Sequence, residues 1–124
     1  MLEKTRLRFK LRIWLECDEG FSLGPGKAEL LQGIEARGSL SGAAEALGMS
    51  YRRAWGRIKK MEASLGRPLV EKLGGNKAGY RLTPFAVQLV RGYEAWIAAV
   101  EEYAVIKAEE CIPLDMAMHC AEPK

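Results

Sequence analysis

The sequence predicts a mainly α-helical fold carrying one small β wing. Three observations lead there. From residue 26 onward most apolar residues recur at helical spacing, and each run is closed by glycine or proline. One stretch, 69–82, reads instead as two short β-like runs around the glycine-rich turn G-G-N-K-A-G. The 124 residues, 48% hydrophobic and 28% charged, have the composition of one soluble domain of ordinary size.

Each element follows from local chemistry. Residues 7–16, L-R-F-K-L-R-I-W-L-E, alternate closely and predict a half-buried strand. Arg8, Lys10 and Arg12 fall on its solvated face, a charge pattern suited to a sheet edge. The turn-like 17–26 follows. A first helix is expected over 26–37, with Leu30, Leu31 and Ile34 on one face and Gly38 as its stop. Ser39 or Ser41 can cap a second helix of about seven residues, ended by Gly48. Ser50 caps a third, whose stripe is Ala54, Ile58, Met61 and Leu65, and which Gly66-Arg67-Pro68 breaks. Thr83-Pro84 pairs a hydroxyl cap with proline at the first helical position. The pattern then continues unbroken to about Glu110, a helix roughly 40 Å long at 1.5 Å per residue. Leu89, Tyr93, Trp96, Val100 and Tyr103 alternate by four and three along it. So long a stripe on so small a domain is expected to pack partly on a second copy of the chain, as a dimer interface.

Charge is unevenly spread. Residues 1–49 balance to zero, and 82–124 carry a net −4, but 50–81 hold nine Lys/Arg against two Asp/Glu. Clustered positive charge suits a polyanion partner better than the overall +3 suggests. The second and third helices, joined by a glycine turn, have the helix-turn-helix arrangement. Ala43 and Ala44 would let the two axes approach. Burying Ala54 and Ile58 would turn Tyr51, Arg52, Arg53, Gly56, Lys59 and Lys60 outward, with Ser50 at the start of the helix. The N-terminal residues of such a helix read base edges, and Arg52 and Arg53 suit guanine O6/N7. Lys59 and Lys60 are placed for phosphates. The hairpin adds Asn76, Lys77 and Arg81 as contacts to the flanking backbone or minor groove. Trp55, beside the buried stripe, is expected to pack partly against the wing or strand, while Tyr51 faces the DNA. Arg57 reads equally well as a structural or a phosphate-contacting side chain. The expected fold is therefore a winged helix-turn-helix with an N-terminal strand and a long C-terminal dimerisation helix. Its divisions are a DNA-binding domain over 1–83, the helix over 84–110, and a tail over 111–124 that has no usable pattern and is a candidate for disorder.

From the first helix to Thr83-Pro84 the chain resembles the DNA-binding domain shared by LysR-type and ModE-type bacterial regulators. The LysR-like stretches are A-A-E-A-L-G-M-S, I-K-K-M-E-A-S-L-G-R-P-L-V-E-K and Y-R-L-T-P-F-A. S-Y-R-R-A-W at 50–55, the wing G-G-N-K-A-G and the leading strand are similar to ModE, the molybdate-responsive group. The resemblance spans about residues 6–108 and implies DNA binding and dimerisation through the strand and the long helix. Full-length members sense molybdate through a C-terminal pair of oxyanion-binding domains. Here the chain ends about 14 residues after the long helix, so a stand-alone regulator acting near molybdenum genes is expected. Any molybdate or tungstate site would have to be improvised from Lys/Arg or Cys/His groups at the dimer interface; no other cofactor is expected.

Other classes fare worse. A single histidine in the tail and no G-x-x-x-x-G-K loop leave little for catalysis, so no enzyme is expected. Cys17, Cys111 and Cys120 lack the spacing of a disulfide framework and read as reduced thiols. Cys111, His119 and Cys120 lack the paired spacing of zinc modules. No apolar run approaches the ~18–20 residues that span a bilayer, and the first residues lack a signal-peptide core. A cytoplasmic homodimer on double-stranded DNA, at an inverted repeat, is the principal expectation. The alternatives are a winged-helix protein-interaction module and a small oxyanion- or metal-binding protein.

Overall fold

The structure is a computed structural model, and it describes residues 8–74 and 79–113. Contacts divide the chain into two units: Ile13–Tyr93, and the described parts of Met1–Arg12 and Glu94–Lys124. The elements run β1 (Leu15–Glu16), β2 (Ser22–Leu23), α1 (Pro25–Arg37), α2 (Leu40–Ala46), α3 (Tyr51–Leu65), β3 (Val70–Lys72), β4 (Tyr80–Leu82) and α4 (Pro84–Cys111).

The first unit holds the helix-turn-helix and its wing. Proline opens α1, and Gly38 closes it in the left-handed region at φ 71°, where a side chain would be strained. Its apolar face, Leu30, Leu31 and Ile34, is fully buried. Ser39 rather than Ser41 caps α2, its Oγ accepting from the Gly42 N–H at 3.0 Å. Small residues set the approach of α1 and α2: a Cβ built on Gly33 would lie only 3.0 Å from that of Ala43. Ser50 Oγ accepts from the Arg53 N–H at 3.1 Å and starts α3. Ala54, Ile58 and Met61 bury completely beneath it.

β3 and β4 pair antiparallel, with Val70 opposite Leu82, Glu71 opposite Arg81 and Lys72 opposite Tyr80. The base of this wing presses on the turn after α1, since a Cβ on Gly79 would overlap the Gly38 carbonyl oxygen. Thr83 caps α4: its hydroxyl accepts from the Ala86 N–H at 3.2 Å and donates to the Pro68 carbonyl at 2.9 Å.

The long N-terminal strand is the main departure from expectation. Among the described residues this segment forms a ladder only where Leu15 and Glu16 meet Leu23 and Ser22. A strand needs a partner edge. Within the described chain only 22–23 pairs with it, brought back by a turn in which Cys17 N–H donates to the Phe21 carbonyl at 2.9 Å. The alternation itself survives: Phe9, Leu11 and Ile13 are half-buried, and Arg8, Lys10, Arg12 and Trp14 are exposed.

The second unit gathers residues 8–12 with the part of α4 from Glu94 onward. Val105 is buried there, whereas Tyr103, Ile106 and Ile112 are exposed. Among the described residues no helix is long and apolar enough to cross a membrane, and no cluster of His, Cys, Asp or Glu is arranged to hold a metal ion. His119 and Cys120 lie outside the described residues, as do Asn76 and Lys77.

Candidate nucleic-acid interface

Helix α3 has one fully buried face, an exposed polar face opposite it, and half-buried flanks that include Trp55 and Arg57. Tyr51, Arg52, Arg53, Gly56, Lys59 and Lys60 are all exposed, as the sequence predicts. The cap Ser50 is exposed as well. Gly56 lies near the middle of the outward face. A Cβ there would meet nothing within 4 Å, so the protein's own packing supplies no reason for glycine at a position where it weakens the helix.

The two flanks of α3 differ. On the wing side the aromatic residues form a row. Tyr51 and Trp55 lie nearly parallel with centroids 6.5 Å apart, and Trp55 meets Tyr80 of β4 at 5.5 Å. Trp55 is half-buried there, packed on the wing. The Lys59 ammonium sits 4.6 Å from the Trp55 ring centroid and bridges to Glu62 at 3.1 Å. Glu62 in turn accepts from the Leu69 N–H at 2.7 Å and the Val70 N–H at 3.3 Å, which pins the end of α3 to β3. Burial alone would raise the Glu62 pKa. The Leu69 N–H, Lys59 and the Val70 N–H outweigh that and hold it below the ordinary glutamate value. On the wing itself Arg81 is exposed but pairs with Glu71 at 2.8 Å.

The opposite flank carries unneutralised charge. Arg53 and Lys60 are seven residues apart and so lie on one side of the helix, with Arg57 between them. Arg57 and Lys60 face Lys27, from the first turn of α1, across a cavity of about 320 Å³. Lys27 is tied down by Ser22, donating to its Oγ at 2.6 Å and to its carbonyl at 3.2 Å. Burial, and then the Lys60 and Arg57 charges, hold the Lys27 pKa below the ordinary lysine value. The sequence alone gives Lys27, Ser22 and Trp14 no role at a site. A lysine directly after G-P-G was the only local signal, and its meeting with α3 is a tertiary contact.

The residues of the expected dimer stripe are distributed differently. Tyr93 is buried in its own unit, its hydroxyl donating to the Ile13 carbonyl at 3.1 Å. Leu89, Trp96 and Val100 are half-buried, and Tyr103 is 60% exposed.

A buried-faced α3 after a short α2, followed by a two-stranded wing, defines a winged helix-turn-helix domain of the DNA-binding kind. Residues 27–87 match the family model "Bacterial regulatory helix-turn-helix protein, lysR family". The fold is similar to the "CbnR_DBD-DNA complex" crystal structure, with a TM-score of 0.54 and 16% identity, over 68% of this chain and 94% of that one. Among proteins similar in sequence, the "Molybdenum transport protein ModE" of Azotobacter vinelandii is 34% identical over 93 residues, covering 73% of this chain and 34% of its own length. The "Transcriptional regulator ModE" of Haemophilus influenzae is 29% identical over 108 residues, 86% of this chain and 42% of that protein. The "Molybdenum-pterin-binding protein MopB" of Rhodobacter capsulatus is 35% identical over 100 residues, 79% and 37% respectively. The chain carries a LysR-type helix-turn-helix domain of the ModE-like kind, and it spans between 34% and 42% of the length of these relatives.

Proposed function

We propose that this protein is a sequence-specific, DNA-binding transcriptional regulator, acting in the cytoplasm on genes of molybdenum metabolism. The observation that carries the reading is α3 itself: Ala54, Ile58 and Met61 are fully buried, and Arg52, Arg53, Lys59 and Lys60 stand on the outer faces. The bare Gly56 at the centre of that face adds to it, because a surface that presses closely on a groove has no room for side chains. In this reading Arg52 and Arg53, in the first turn, read base edges, and Tyr51 and Ser50 bond nearby phosphates. Lys59 and Lys60 neutralise backbone charge on the two flanks. Asn76, Lys77 and Arg81 extend the contact along the wing.

The working form is a homodimer on an inverted repeat. The exposed Tyr103 and Ile106 in the C-terminal part of α4, and Ile112 just after it, support this, because they leave apolar surface uncovered among the described residues. The link to molybdenum rests on the ModE relatives, and no catalytic activity is proposed.

The test is selection of bound duplexes from a random pool, followed by a salt titration of the selected site. A single enriched inverted repeat is expected. Its affinity should fall with salt at a slope of about −0.9 per phosphate neutralised. An unenriched pool, or binding indifferent to salt, would replace this reading with a protein-interaction module. Adding molybdate to the selection asks whether the ion alters the choice of DNA.

A further inference from the structure

The pocket beside α3 has the composition of an anion site. Lys27, Arg57 and Lys60 converge on it, and Trp14, Ser22 and Gly24 complete most of its wall. No lining residue is acidic. Among the described residues no carboxylate pairs with any of the three cations. Three positive groups held together without a counter-charge repel one another, and folding tolerates this only because other contacts fix them. Lys27 is fixed by Ser22 at 2.6 Å. Arg57 reaches the start of α1, where a Cβ on Gly26 would lie 3.8 Å from its Nη1. Gly24 lets Trp14 pack directly on the chain at the pocket wall: the pyrrole edge of Trp14, including Nε1, lies so close that any Cβ on Gly24 would overlap it.

We infer that this cavity, between the first turn of α1 and the flank of α3, is a binding site for a tetrahedral oxyanion. The side-chain polar groups of its wall are nearly all donors: two ammoniums, a guanidinium and an indole N–H, with the Ser22 hydroxyl already engaged by Lys27. Donors alone suit a ligand that only accepts, such as phosphate, sulfate or molybdate, and they would repel a metal cation. The planar guanidinium of Arg57 can meet two oxygens at once, and the lysines act as point charges. The first turn of α1 adds unpaired backbone N–H groups of the same polarity. A bound dianion would also relieve the repulsion that depresses Lys27. Two sources supply this chemistry, a free inorganic oxyanion or a backbone phosphate of a bound duplex. The site does not rest on the regulatory reading, since its first measurement contains no DNA.

That measurement is calorimetric titration of the full chain, in chloride buffer, with inorganic phosphate, sulfate and molybdate in turn. At least one is expected to bind saturably, one per chain, with a Kd of about 1 mM or tighter. Arg57→Gln and Lys60→Gln should each weaken it about tenfold or more, and Lys107→Gln, far along α4, should not. Lys27→Gln should weaken it too, but it also cuts the tie to Ser22, so the two α3 variants keep the test sound if that protein folds poorly. A second arm measures duplex binding. If the source is backbone phosphate, free oxyanion competes with DNA, and Arg57→Gln lowers the salt slope by about 0.9. If the source is a free ion, the oxyanion still binds the DNA complex and the slope is unchanged. No saturable binding of any of the three ions, together with an unaltered salt slope, would overturn the site. Oxyanion binding that the α3 variants leave intact would do the same.

Discussion

Replacing Glu62 with alanine would test how α3 and the wing are held together. One carboxylate serves three donors: the Leu69 and Val70 N–H groups through Oε2, and Lys59 through Oε1. Leu69 is fully buried, so its N–H has no ready access to water once the carboxylate is gone. A buried donor left without a partner costs about 1–3 kcal/mol. The Val70 bond, at 3.3 Å, is weaker and adds less. Alanine returns a few tenths of a kcal/mol in helix propensity, so the net loss should be about 1–3 kcal/mol. At roughly 4 °C per kcal/mol for a chain of this size, thermal unfolding followed by circular dichroism at pH 7 should show Tm lower by about 4–12 °C.

Glu62→Gln keeps an acceptor and loses the charge, so it should cost only about 1 kcal/mol. Acid separates the two roles. Because the folded pKa lies below its unfolded value, the carboxylate's contribution is fully present above the ordinary glutamate range near 4.5. It fades as pH falls through the lower folded value. Wild type should therefore lose its advantage over Glu62→Gln across that acid window. An alanine variant melting within about 2 °C of wild type would refute the clamp, since a lost buried bond cannot be that small. So would an advantage over Glu62→Gln that survives unchanged through acid.

Four further outcomes are expected. Arg53→Ala should weaken binding to the selected site by about 1–3 kcal/mol and blur preference at one base position, read from competition against single-base variants of the site. Lys60→Ala should weaken all duplexes alike and reduce the salt slope by about 0.9; a selective loss would mean that it reads a base. Gly56→Ala should raise thermal stability by about 0.5–1 kcal/mol yet weaken DNA binding, because the added methyl fills open space in the free protein and meets the duplex in the complex. Tyr103→Glu should shift the sedimenting species from dimer toward monomer at unchanged secondary structure, and a dimer that persists would place the interface elsewhere.

The parts of the fold legible in the sequence are those decided within a turn or two of chain. Ser39, Ser50 and Thr83 could be read as caps because a cap contacts its own helix three residues on. The buried Ala54, Ile58 and Met61 followed from spacing alone. The outward set on α3 follows by subtraction, and Arg52, Arg53, Lys59 and Lys60 are exposed. What escaped depends on contacts between distant segments. The alternation over 7–16 specified strand-like residues but not a partner edge, and a ladder formed only at Leu15–Glu16. Tyr93 fitted a seam by period, yet its hydroxyl is engaged by Ile13, 80 residues earlier. Lys27 carries no signal of a shared site in the sequence, because nothing local announces Arg57 and Lys60 across from it.

The distribution of acids around α3 explains why net charge is so poor a guide here. On the wing side, Glu62 meets Lys59 and Glu71 meets Arg81, so those cations carry reduced free charge and hold defined positions. On the α1 side, Arg57, Lys60 and Lys27 have no such partner among the described residues. On the proposed reading, an approaching phosphate is drawn more strongly to the α1 flank than to the wing, and the outward face between them, with Arg52 and Gly56, is set down by that pull. The wing flank then supplies shape and rigidity through Trp55 and Tyr80. Moving one acid across the helix, as in Lys60→Glu, should thus lower affinity more than Lys59→Glu does, although both remove two units of positive charge from the same helix. Equal losses would mean that the pairing seen on the wing side does not screen Lys59 in solution.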